Sequence, residues 1–376
     1  MGEVRRYRWL LHIDLDQFQV AVERLRRGDL IGRPVIVGGD GDPGRARQVV
    51  TCASYEARAL GVRAGMPMRA AGRRAPEAVF LPLDMPAYED ASARVMDVLR
   101  GFGDALEVWG WDEAYLGVEP RDGPARLDTA GVVATAHAVR EAVRVGSGLA
   151  SCVGVSDNKQ RAKAATGFAK HAIGADDSGP RDRVFVLDDA NWSVLMDQRP
   201  CRDLWSVGPR TATKLAAAGI DTVAQLVGTG RDELVEMFGP HQGNWLYVLC
   251  RGGGDDAIAD EPPIARSHSR ARTFDSDLTD AADLRVAVRR LVREVLDQVV
   301  AEGRVPFRVG LTVRTRSFHT RTKVRKLAAP SVEFEALATV VEELLEAFAV
   351  DRPVRLMAVR LELLDPPGAE PSTVRR

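Results

Sequence analysis

Two short acidic stretches constrain this chain more than any other feature: Ile13-Asp14-Leu15-Asp16-Gln17-Phe18-Gln19, and Trp109-Gly110-Trp111-Asp112-Glu113-Ala114-Tyr115-Leu116. Each closes an apolar run, Trp9-Leu10-Leu11-His12-Ile13 in the first case and Leu106-Glu107-Val108-Trp109 in the second. Short apolar runs ahead of a charged break read as buried strands, which puts the carboxylates at strand ends. Ionised carboxylates beside a core are costly unless a cation compensates them. Oxygen donors without Cys or His select Mg²⁺ or Mn²⁺ over zinc. If the two strands are neighbours, Asp14, Asp112 and Glu113 converge on one point, and such sites hold phosphates for displacement at phosphorus. For either stretch by itself, a surface turn rich in aspartate is the competing reading.

With 376 residues the chain exceeds one compact core and is expected to form roughly two to four domains. A formal net charge of -1 gives no global sign of a polyanionic partner, so any basic face has to be local. Cys52, Cys152, Cys201 and Cys250 are widely spaced and read as buried small apolar residues, not as a zinc site or a disulfide framework. The N-terminal residues lack the apolar stretch of a signal peptide, and no later run approaches membrane-spanning length. The chain reads as cytoplasmic.

Helical spacing follows the first acidic stretch to about Arg26, and a strand at 34–37 ends in Gly38-Gly39. After a polar loop, residues 48–62 read as a strand turning into a short helix stopped by Gly61. Tyr55 and Arg58 share a face of that helix, where a phenol beside a guanidinium can clamp phosphate. Helices over 86–100 and 129–143 alternate with strands, which makes an α/β layer with the carboxylates at one edge. In the next helix Lys163 and Lys170 are two turns apart and would neutralise a triphosphate if they face the acidic site. Residues 201–226 read as a helix-hairpin-helix, whose Val207-Gly208 turn and Arg210 expose donors to a phosphate without reading sequence. Residues 251–261, rich in Gly and Pro, read as a flexible linker. Beyond it come Arg266, Arg270 and Arg272, then a tract from Arg304 to Lys326 in which every charge is basic. The alternation of Val309 to Arg316 places Arg314 and Arg316 on one strand face suited to a duplex backbone. The tail after Asp365 reads as disordered.

Taken in order, the Asp14 to Phe18 stretch, Ser54-Tyr55-Glu56-Ala57-Arg58, Gly65-Met66-Pro67, Asp112 to Leu116, Val155 to Lys159, Ala162-Lys163, the hairpin at Val207-Gly208 and Thr273-Phe274 resemble the Y-family translesion DNA polymerases, the DinB (DNA polymerase IV-like) branch in particular. The likeness covers almost the whole chain. It implies an α+β multidomain right hand: palm 1–17 and 84–178, fingers 18–83, helical thumb 179–250, linker 251–261 and α+β little finger 262–365, with 366–376 as a tail. It also implies that Asp14 and Asp112 bind two Mg²⁺ ions, with Mn²⁺ as a substitute. The Leu15 carbonyl completes one sphere, and Glu113 binds the ion beside the primer 3′-OH. Phe18, Cys52, Tyr55, Arg58 and Lys170 then contact the incoming nucleotide.

Departures from the family pattern carry information too. An aromatic steric gate usually follows Phe18, and here that position is Gln19. A flexible polar group leaves room for a 2′-OH, so weak exclusion of ribonucleotides is expected. Cys52 replaces a usual Ser or Thr, and Gly110-Trp111 replaces a usual Ser-led pair. The expected partners are primer-template DNA, dNTP and, through the opened gate, rNTP. No clamp-binding peptide is evident in the tail, which counts against a sliding clamp, and a monomer is expected. A catalytically silent accessory subunit on the same fold and a two-metal nuclease are the alternatives. The retained carboxylates with Tyr55, Arg58 and Lys170 argue against the former, and the fingers and little finger against the latter.

Overall fold

The computed structural model describes residues 4–103, 105–171, 182–261, 264–349 and 352–366. The chain divides into two compact units, Gly2–Pro262 and Pro263–Arg376. The first begins with β1 (Val4–Leu15), α1 (Phe18–Arg26), β2 (Val35–Val37), β3 (Cys52–Ala53), α2 (Tyr55–Ala59), α3 (Met68–Arg74), β4 (Val79–Leu81) and α4 (Met85–Arg100). It continues through β5 (Ala105–Val108), β6 (Glu113–Pro120), α5 (Thr129–Ser147), β7 (Ser151–Ser156), α6 (Lys159–His171) and β8 (Val184–Val186). Helices α7 (Trp192–Met196), α8 (Pro209–Ala217), α9 (Val223–Gly228) and α10 (Arg231–Cys250) precede β9 (Ala257–Ala259).

The sheet that carries the acidic stretches has the order β5-β6-β1-β7-β8, with β9 added on β1. Period-two alternation sorts β1 between two environments. Leu11, Ile13 and Leu15 enter a core shared with Tyr88, Val95 and Leu99 of α4 and Val132, Val139 and Val143 of α5. His12 and Asp14 therefore point to the opposite face, where α6 lies: Thr166 of α6 reaches the His12 ring at 2.8 Å. That close approach depends on Gly154 of β7, opposite His12, since a Cβ there would meet the Ala162 carbonyl oxygen at 2.0 Å and the Thr166 nitrogen at 2.4 Å.

The strands β3-β2-β4 form a small second sheet, closed by Ile36, Val50, Ala57, Met68 and Ala71. Ser54 caps α2 and also accepts from Val35 N–H, which fixes the start of that helix on β2. Helices α7 to α10 share a core around Trp192, Leu215, Val223, Leu226 and Leu246. Thr222 and Gln225 form a capping box on α9. Over the expected helix-hairpin-helix, a short turn of helix at Cys201–Asp203 and the Val207-Gly208 turn lead into α8, which α9 follows.

Residues 251–261 are not the flexible linker that their composition suggests. Ala257–Ala259 pair with Val4–Arg6 as a sheet strand. The glycines serve close packing instead: a Cβ on Gly252 would meet the Arg161 guanidinium at 2.3 Å, and one on Gly254 the Gln160 oxygen at 2.1 Å. Lys159, almost fully buried, ties Asp255 at 3.0 Å to Glu107 at 2.8 Å. The expected boundary at 177–180 and the tail from 367 lie outside the described residues.

The second unit contains β10 (Ser267–Leu278), α11 (Ala281–Ala301), β11 (Pro306–Thr315), β12 (Thr320–Lys326), α12 (Phe334–Ala347) and β13 (Val354–Leu363). Its antiparallel sheet has the order β10-β13-β11-β12. Val309, Leu311, Val313, Met357, Val359 and Leu361 pack with α11 and α12 in one core. The other face of the sheet carries Arg308, Thr312 and Arg314 of β11, with Thr320, Thr322 and Lys326 opposite them on β12. Among the described residues, no helix is long and apolar enough to cross a membrane.

Candidate active site

The two acidic stretches meet. Asp14 stands opposite Glu113 in the β1/β6 ladder, and Leu15 N–H donates to the Asp112 carbonyl at 2.8 Å. Asp14, Leu15 and Asp112 line a cavity of about 310 Å³ together with Phe18, Gln19, Cys52, Arg58 and Lys170. Trp111 and Thr51, neither of them expected there, line it as well.

Electrostatics within the site are unbalanced. Burial first, then the charges of Asp14 and Glu113, push the Asp112 carboxyl above its ordinary range. Glu113 moves the other way, to about 2, chiefly because His12 hydrogen-bonds it and Lys163 lies beside it. Lys163 pairs with Glu113 and Lys170 with Asp14. The acidic side chains are thus adjacent without forming a convergent three-carboxylate cluster: among the described residues no group of three metal-ligating side chains has that geometry. Glu113 is turned towards Lys163 and His12, its Oε2 3.4 Å from the His12 Nε2. The donor set fits hard divalent cations all the same. It is composed of carboxylate and carbonyl oxygens, and the mutual repulsion that raises Asp112 is what a cation between Asp14 and Asp112 would relieve.

The fingers residues occupy specific positions. Arg58 Nε donates to the Ala53 carbonyl at 2.9 Å, and its guanidinium lies 5.2 Å from the Tyr55 ring centre, so the pair does share a face. The Tyr55 hydroxyl donates to Asp16 at 2.8 Å. Asp16, which sequence reasoning left without a role, is 4 % exposed and also pairs with Arg183. Its position two residues after Asp14 was the available signal. Cys52 is 8 % exposed, and burial pushes its thiol up, which keeps it neutral at the cavity wall. Phe18 is largely a core residue, edge-on to Tyr88 at 6.3 Å. Gln19 accepts from the Thr51 hydroxyl at 2.7 Å. A Cβ on Gly110 would have its nearest contact at 3.5 Å, so nothing in the structure explains glycine there.

The expected nucleic-acid contacts divide by register. In the thumb hairpin Val207 is buried in the core and Gly208 caps α8, which leaves backbone donors and the exposed Arg210 at the helix start. In the second unit Arg314 lies on the uncovered face, bonded to Thr320 at 2.8 Å. Arg316 does not extend that row: β11 ends at Thr315, and Arg316 lies beyond it, 3.8 Å from Asp277. Arg270 and Arg272 stand opposite the buried Val359 and Met357, and so lie on the helix side, where Arg272 reaches Glu294 at 3.6 Å. Arg266 borders a cavity on the uncovered face with Arg308, Lys326 and Arg360, three basic residues that had not been singled out.

An acidic cavity at one end of a mixed, mainly antiparallel sheet, a small fingers sheet, a helix-hairpin-helix thumb and a separate α+β unit define a right-hand polymerase. Three family models match along the chain: the impB/mucB/samB family over residues 13–167, the DNA polymerase-iota thumb domain over 202–254 and the impB/mucB/samB C-terminal domain over 265–373. DNA polymerase IV 2 of Mycobacterium tuberculosis (strain ATCC 25618 / H37Rv) is 49% identical over 358 residues, 95% of this chain and 98% of the relative. DNA polymerase IV of Methanoculleus marisnigri is 32% identical over 95% of each chain. The solved Y-family DNA polymerase chimera Dbh-Dpo4(243-245)-Dbh superposes with a TM-score of 0.79 at 24% identity, covering 94% of this chain and 98% of the other. The chain belongs to the Y-family translesion DNA polymerases, in their DinB (DNA polymerase IV-like) branch. Members of this family are generally dependent on divalent metal.

Proposed function

We propose that this polymerase extends a primer on a DNA template by attack of the primer 3′-OH on the α-phosphorus of an incoming nucleotide, with release of pyrophosphate. Asp14 and Asp112 would hold two Mg²⁺ ions, aided by the Leu15 carbonyl, with Glu113 on the ion beside the 3′-OH. Bound there, the ions lower the pKa of the 3′-OH and offset charge developing on phosphorus and on the leaving group. Lys170 and Arg58 border the same cavity and supply positive charge to the triphosphate. Tyr55 joins them by leaving Asp16. The observation that carries the reading is Asp14 in register with Glu113, beside an Asp112 whose carboxyl both of them destabilise as an anion.

The palm is assigned to 1–17 and 84–178, the fingers to 18–83, the thumb to 179–250 and the little finger to 262–365. DNA is gripped by backbone donors at Gly208 and by the basic uncovered sheet of the little finger, where Arg308, Arg314, Lys326 and Arg360 alternate with threonines. Gln19 at the gate position, a side chain with no ring to block C2′, supports entry of rNTP as well as dNTP.

Primer extension with Mg²⁺ and with Mn²⁺ tests the assignment. The expected result is template-dependent growth of the primer. Degradation would point to a nuclease, and neither growth nor degradation to a silent DNA-binding subunit.

A further inference from the structure

The residue at the gate position is held by a side chain outside the motifs that define the family. Thr51 is anchored to β2: its backbone N–H donates to the Val37 carbonyl at 2.9 Å. Its hydroxyl lies 2.7 Å from Gln19 Oε1 and 3.1 Å from the same Val37 carbonyl. A hydroxyl has one proton to give, and the shorter contact takes it. The bond joins α1, which carries Gln19, to the fingers sheet, and both residues line the cavity that contains Asp14 and Asp112. One end of the Gln19 amide is therefore fixed. The other end has no hydrogen-bond partner among the described residues and is left for a ligand.

Freezing a free glutamine side chain costs a ligand part of its binding energy, and a residue that holds it beforehand removes that cost. We infer that Thr51 is a positioning residue for sugar selection: by holding Gln19 it presents the free amide end to the 2′-OH of a ribonucleotide. With Oε1 held by Thr51, the free end is the Nε2 amide, which donates to the oxygen of the 2′-OH. Ribonucleotide use then depends on the Thr51–Gln19 pair and not on the absence of an aromatic ring alone. The inference rests on the polymerase reading and on Gln19 lying at the sugar.

The test is single-nucleotide insertion, with kcat and KM for matched rNTP and dNTP compared between wild type, Thr51→Val, Thr51→Ser, Gln19→Ala and the Gln19→Ala/Thr51→Val double variant. Valine keeps the shape and removes the donor. The expected result for Thr51→Val is a fall in rNTP efficiency relative to dNTP of roughly five- to tenfold, the size of one ordinary hydrogen bond, carried mainly by KM. Thr51→Ser restores the wild-type ratio, and Thr51→Val changes nothing further once Gln19 is alanine. An unchanged ratio, a ratio moved in favour of rNTP, an equal loss for both sugars, or the same shift without Gln19 would each overturn the inference. Failure of wild type to extend with dNTP would instead remove the polymerase reading beneath it.

Discussion

Asp112→Ala is expected to abolish primer extension while leaving affinity for primer-template DNA nearly intact. The Asp112 carboxyl is pushed up by burial first and then by the charges of Asp14 and Glu113. Alanine removes a donor from both proposed metal positions at once. The loss should be at least about a thousandfold, the order seen when a single preorganised electrostatic contact is deleted. DNA affinity should survive because the groups assigned to the duplex lie elsewhere, at Gly208 and on the face of Arg308 and Arg314. The folded state should survive too: deleting a carboxylate that burial and two like charges destabilise relieves repulsion, and Lys170 keeps its pairing with Asp14. Single-turnover extension and a DNA titration on the same preparation separate the two quantities. Loss of DNA binding in parallel with activity would place Asp112 in the scaffold instead.

Gln19→Phe should raise discrimination against ribonucleotides by about a hundredfold, while dNTP insertion persists. A ring at this position fills the space that a 2′-OH requires, and forcing a group into filled space costs up to roughly 3 kcal/mol. Gln19 lines the same cavity as Asp14 and Asp112, so the added bulk falls in that cavity, where the nucleotide is proposed to bind, and not in the core. The ratio of rNTP to dNTP efficiency, measured by single-nucleotide extension, reads the effect directly. A ratio equal to that of wild type would show that Gln19 is not the gate.

The acidic site was legible because its signal is local. Apolar runs mark β1 and β5; Asp112 lies in the turn after β5, and that turn leads into β6, which begins at Glu113 and is the strand that pairs with β1. Strand periodicity then dictates which face Asp14 shares with His12. The long-range side-chain partners had no such signal. Lys170 on Asp14, Tyr55 on Asp16 and Thr51 on Gln19 join residues far apart in the chain, and no local period encodes them. Gly252 and Gly254 misled for a related reason. Their composition is that of a loose linker, while Arg161, Gln160 and Asn158 leave no room for a Cβ there. In β10 the run Ser267-His268-Ser269-Arg270-Ala271-Arg272 has no large apolar residue to mark its inner face. Its neighbour β13 decides, through Met357 and Val359, that Arg270 and Arg272 face the helices.

The most direct measurement is a crystal structure with primer-template, an incoming nucleotide and Mg²⁺. Two ions are expected between Asp14 and Asp112, with Glu113 swung from Lys163 to the ion beside the primer terminus and Lys170 moved from Asp14 to the phosphates. A bound nucleotide with Asp14 still paired to Lys170, and no ion on Asp14 or Asp112, would contradict the account.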